Sequence, residues 1–72
     1  MAHAHARIAN HVASVAGHLV RTISNRADLL KRASEIRYVS GATVEGQELV
    51  MQIDPKILKE YGGSKVIRVS LR

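Results

Sequence analysis

Apolar and polar positions follow one period in the first half of this chain and another in the second. Ile8, Val12, Val15, Leu19 and Ile23 recur at steps of four and three. That spacing keeps residues on one face of an α-helix and predicts a helix over Ala6–Ser24. Ala9, Ala13, Ala16 and Val20 widen its apolar side, while Arg7, His11, Ser14, His18, Arg21 and Asn25 form a polar stripe without a carboxylate. At about 1.5 Å per residue this helix is about 28 Å long. Gly17 sits inside it on the polar flank, where glycine costs up to about 1 kcal/mol against alanine. Continued further, the helix would carry Arg26 into the middle of its apolar face, so a break is expected near Thr22–Asn25. Asn25 can cap a second helix, with Asp28 three residues on as in a capping box. Helix two then covers Arg26–Ser34 and buries Leu29, Leu30 and Ala33; the alternative is one bent helix to residue 35.

From Glu35 the period drops to two. Ile36, Tyr38, Ala42 and Val44 alternate with Arg37, Val39, Thr43 and Glu45, with a bulge or bend at Ser40-Gly41. Glu45-Gly46-Gln47 reads as a tight turn into a second strand, Glu48–Asp54, which points Leu49, Met51 and Ile53 one way. Asp54-Pro55 starts a short helix with Asp as cap and Pro at the first helical position. Ile57, Leu58 and Tyr61 give it an apolar side, and Gly62-Gly63 ends it. Lys65–Arg72 is the last strand, with Ile67, Val69 and Leu71 inward and Arg68, Ser70 and Arg72 outward. The predicted fold is α+β in the order ααββαβ. Two N-terminal helices precede a three-stranded, mainly antiparallel sheet, with a short helix before the last strand. The long helix packs on that sheet or on a second subunit.

Composition narrows this picture. Seventy-two residues make a single small domain over 1–72, with 1–5 as a frayed start. A chain this short buries only about 60–65% of its unfolded surface, and with no cysteine to form a disulfide the expected route to stability is a homo-oligomer, most simply a homodimer. Absence of cysteine fits a reducing cytoplasm. With no Phe and no Trp, only Tyr38 and Tyr61, the core must be aliphatic, and the aromatic platforms on which single-strand binders stack bases are expected to be absent. The first helix is too polar to span a membrane. Its lack of acids resembles a transit peptide, but it is not Ser-rich, and without it too little would remain to fold.

Charge changes the picture most. The net charge is +5, and its distribution is uneven. Six Lys and Arg stand before residue 41 against two acids, and five stand after it against four. A basic half on a small domain is the footprint of a polyanionic partner. The candidate anion-binding residues are Arg7, His11, His18, Arg21, Arg26, Lys31, Arg32 and Arg37, with Arg68 and Arg72 as a second stripe on the last strand. Histidine gains charge in mildly acid solution, so the stripe's positive charge rises there.

Chemistry of other kinds is not supported. His3 and His5 would point about 200° apart on a helix, and His11 and His18 lie about 10 Å apart, so no single metal ion is held and no cofactor is expected. Ser14 lies between His11 and His18, but no glycine-rich elbow or oxyanion loop accompanies it. Gly62-Gly63-Ser64-Lys65 precedes a strand and not a helix, unlike a phosphate-cradling loop. Glu45 and Glu48 merely flank a turn. A non-enzyme is expected.

Residues 50–71, running from Val50-Met51-Gln52-Ile53-Asp54-Pro55-Lys56 through Tyr61-Gly62-Gly63 to Val66-Ile67-Arg68-Val69, resemble the AbrB/MazE-like swapped-hairpin DNA-binding family. The resemblance lies in a strand running into Pro-Lys, a short helix ending in Gly, and a strand of alternating Val. It implies a DNA-binding homodimer of regulator type but assigns no contact residues. Here Asp54 separates Ile53 from the proline, Gln47 follows Gly46, and a Gly-Asp before the last strand is missing. The leading expectation is therefore a small basic nucleic-acid-binding protein, a DNA-binding regulator of phage or plasmid type. The alternatives are an inhibitor or adaptor that grips an acidic protein surface, and an oligomeric binder of small phosphorylated ligands.

Overall fold

The computed structural model describes residues 4–72. They run α1 (Ala4–Thr22), α2 (Arg26–Ser34), β1 (Val39–Glu45), β2 (Glu48–Ile53), α3 (Pro55–Tyr61) and β3 (Val66–Ser70). This is the expected α+β order. The expected frayed start falls outside the described residues for 1–3, while Ala4 and His5 are already helical.

The break between the first two helices is real. The hydroxyl of Thr22 donates back to the His18 carbonyl at 2.9 Å, a bond that closes the last turn of α1. Asn25 is extended, and its side-chain oxygen accepts from the Asp28 amide at 2.9 Å, starting α2 as a capping residue should. Arg26 thereby lies on an exposed helix start and not in the core. At α3 the Asp54 carboxylate accepts from the Lys56 amide at 2.9 Å, and Gly62, at φ 76, closes the helix by donating to the Leu58 carbonyl.

The three strands lie in the order β1-β2-β3, every pair antiparallel. Gly46, at φ 61, takes the first central position of the two-residue β1–β2 turn, a conformation that disfavours any side chain. One face of the sheet carries the core. Leu49 and Met51 of central β2 are fully buried, Ile53 nearly so, and they join Val12 and Ala16 of α1, Leu29 and Ala33 of α2, and Ile36. Ile67, Val69 and Leu71 pack against this cluster from the β3 side.

Strand β1 departs from the simple alternation. It begins at Val39, not near Ile36, because Glu35–Tyr38 form turns. The register shifts between Val39 and Gly41, a bulge at the expected Ser40-Gly41 site. One extra residue flips the pattern, so Val39, not Tyr38, begins the strand and pairs with inward-facing Ile53. Ala42 and Val44 then pair with Met51 and Leu49 on the same face.

No helix among the described residues is long and apolar enough to cross a membrane. Gly17 has open space where a Cβ would stand, and its helical position needs no glycine. Replacing Gly17 with Ala is expected to raise the stability of the fold by about 0.5–1 kcal/mol. Gly46→Ala is expected to lower it by about 1–2 kcal/mol, since a side chain is forced into the left-handed region. Urea unfolding curves for the two variants should shift in opposite directions.

Candidate nucleic-acid interface

Packing on the sheet turns α1 so that its polar stripe faces outward. Val12 and Ala16 are fully buried, whereas Arg7, His11, Ser14, His18 and Arg21 are all exposed. No Asp or Glu occurs anywhere in α1, so nothing on the helix neutralises the row.

The other candidate cations are placed differently. Arg26, Lys31 and Arg32 lie exposed on α2, and Arg32 makes a long 3.9 Å pair with Asp28 one turn earlier. Arg68 and Arg72 do not join the α1 stripe. Arg68 neighbours Val50 on the sheet face opposite the helices, because Ile67 and Val69 on either side of it face the core. There its guanidinium donates to Glu45 at 3.3 Å and to Glu48 at 3.2 Å. The Glu48 carboxylate, and next the Glu45 carboxylate, raise the Arg68 pKa above its already high ordinary value. Glu45 and Glu48 stand directly opposite each other across the hairpin, a like-charge pairing that disfavours it. Arg68 relieves that repulsion, so its charge is engaged within the sheet. Arg72 bonds Gln47 at 3.3 Å through its side chain.

Arg37 is the cation that the fold brings to the stripe. It lies in the turn between α2 and β1, and its guanidinium sits 5.0 Å from the ring centroid of Tyr38, within cation–π range. The His11 ring meets the same tyrosine edge-on at 5.9 Å between centroids. Together with Arg7 these residues border a pocket of about 520 Å³, whose other walls are Ile8, Ile57, Glu60 and Tyr61. Arg7 and His11 therefore belong to the stripe and to the pocket at once.

Nothing in the local residue pattern marks Tyr38's part in this pocket. It is the one non-glycine residue with positive φ among the described residues, at 78°. A bulky side chain in that region is a true outlier, held by its surroundings against a strain of about 1–3 kcal/mol. The restraint is visible. Val39 donates its amide to Ile36 at 3.0 Å, and Asp54 donates to the Tyr38 carbonyl at 2.8 Å. The second bond ties the pocket's turn to the cap of α3, which carries Ile57, Glu60 and Tyr61. The Glu60 carboxylate raises the pKa of the exposed Tyr61 hydroxyl.

Among the described residues no three His, Cys, Asp or Glu side chains are grouped to hold a metal ion. The strain at Tyr38 has a measurable signature. Tyr38→Gly is expected to be more stable than Tyr38→Ala by about 1 kcal/mol, the reverse of the usual order, because only glycine adopts this φ freely. Chemical denaturation of both variants checks it, and an alanine variant at least as stable as the glycine one would contradict it. No protein family matches this chain, and neither a curated protein nor a solved structure is similar to it.

Proposed function

We propose that this chain is a small nucleic-acid-binding protein of regulator type that lays α1 along the phosphate backbone of DNA. The observation that carries this reading is the exposed row Arg7, His11, Ser14, His18 and Arg21 on a helix without a single acid. From Arg7 to Arg21 the row spans about 21 Å at about 1.5 Å per residue. Each DNA strand carries one phosphate per about 3.4 Å of duplex axis, so a row of this length meets several phosphates. Arginine forks suit phosphate oxygens, and hydroxyl and imidazole groups add neutral donors that fix register. Arg37 extends the row at its Arg7 end. The opposite face of the sheet, where Arg68 is occupied by two glutamates, is left out of the contact.

Fluorescence anisotropy against duplex DNA at several salt concentrations tests the reading. Affinity should fall with salt at a log–log slope of about −3 if Arg7, Arg21 and Arg37 each neutralise one phosphate. Arg21→Ala should weaken binding for every sequence and reduce the slope by about 1, whereas Arg68→Ala should leave both unchanged. Absence of binding to duplex or RNA at low salt would sink the proposal.

The same reading includes a homodimer. Among the described residues only ten apolar side chains are buried, a small core for an isolated domain. Two copies would also double the phosphate contacts of a short helix. Sedimentation at micromolar concentration should give the mass of a dimer, and a stable monomer would remove this part of the proposal.

A further inference from the structure

We propose that the pocket where α1 meets the Arg37–Tyr38 turn and α3 is a socket for a nucleotide ending in a phosphate monoester, at the terminus of a nucleic-acid strand. The proposal rests on the nucleic-acid reading and adds an end-specific contact to it. Arg7 and His11 link the socket to the outer row of α1, so a strand lying along the helix meets it in passing. A terminal monoester carries about −1.5 to −2 charge and three acceptor oxygens, more than an internal diester offers. Two arginine forks, Arg7 and Arg37, face that demand.

Arg37 has an aromatic platform beside it. Its guanidinium is stacked on Tyr38, and Tyr38 is itself locked at positive φ. A pre-placed fork loses less freedom on binding than a mobile one. Strain of this kind gathers at ligand clamps. The base has a separate place. Tyr61, 44% exposed, is the large apolar side chain left open among the described residues, and it forms one wall of the pocket. An exposed ring of that kind stacks any base. A volume of about 520 Å³ lies within the range of small-ligand sites of about 300–1,000 Å³. Glu60, next to Tyr61, places a carboxylate at the α3 end. It repels a second phosphate there and accepts from a base amino group or sugar hydroxyl, which favours a monophosphate over a triphosphate.

The test compares oligonucleotides of one sequence ending in a phosphate, at either end, or in hydroxyls, with closed circular DNA as a partner that has no ends. The phosphorylated strand should bind about tenfold tighter than the hydroxyl one, the worth of one charge-assisted hydrogen bond. Arg37→Gln should remove that preference, and Tyr61→Ala should reduce the affinity for the phosphorylated strand without affecting circular DNA. Equal binding of both strand types, with circular DNA still bound, overturns the socket and leaves the α1 reading standing. Loss of binding to every nucleic acid, circular DNA included, overturns both. Calorimetry with a free nucleoside monophosphate separates the source. Arg37-dependent uptake of the free nucleotide, without preference among strand ends, overturns the strand-end assignment in favour of a small ligand.

Discussion

The seat of α1 on the inner face of the sheet, closest along β3, is the contact on which the rest depends. Val12 and Ala16 on the helix, and Leu49 and Met51 of central β2, are all fully buried. The chain has no Phe or Trp, so no large ring can fill a gap between helix and sheet. Small and aliphatic side chains let the helix approach closely, and dispersion then acts over short distances. Rotating α1 about its axis would expose this face and bury Arg7 or Arg21 without partners, a penalty of several kcal/mol for each unpaired charge. The helix therefore has one stable orientation, and the outward row of cations is a consequence of core packing.

The two faces of the molecule handle charge in opposite ways. On the open face of the sheet, Arg68 answers Glu45 and Glu48, and Arg72 reaches Gln47. These groups are about half exposed, and such pairs contribute little to stability, about 0.2–1 kcal/mol each. Their larger effect is on the field. They cancel positive potential on that face, whereas α1 carries cations with no acid of its own. An approaching polyanion meets an attractive surface on the helix side and a balanced one on the other. Net charge alone does not convey this polarity, because Arg68 counts the same in the sum as Arg21.

Much of the architecture was legible in the residues themselves. The Asn25 and Asp54 caps, the Gly46 turn, the Ser40-Gly41 bulge and the inward Leu49, Met51 and Ile53 all follow from local rules that short-range geometry obeys. The start of β1 did not. Alternation carried back to Ile36 treats Tyr38 as a strand residue, and only the bulge and the positive φ show why Val39 takes the inward place. The site divides in the same way. The α1 row could be read because helical spacing is local. Its meeting with Arg37, and the separation of Arg68 from it, depend on which sheet face each strand turns toward and on contacts between distant elements. Tyr61 and Glu60 were missed for that reason, since nothing in a short capped helix marks which side will border a pocket.

Tyr38 is where fold and site become one problem. The turn after α2 must send Ile36 into the core and, three residues later, start a strand whose Val39 also faces the core. A positive φ between them reverses the chain tightly enough to do both. Glycine would satisfy the backbone at lower strain, so the tyrosine must be justified by its side chain. That side chain supports the Arg37 guanidinium and meets the His11 ring. It also stands opposite α3, to which its carbonyl is tied through the Asp54 amide. The residue that strains the backbone is thus the one that links three separate elements around the pocket. The strain is consistent with a pocket held ready before its ligand arrives, since a relaxed turn with a small residue would leave Arg37 without its platform.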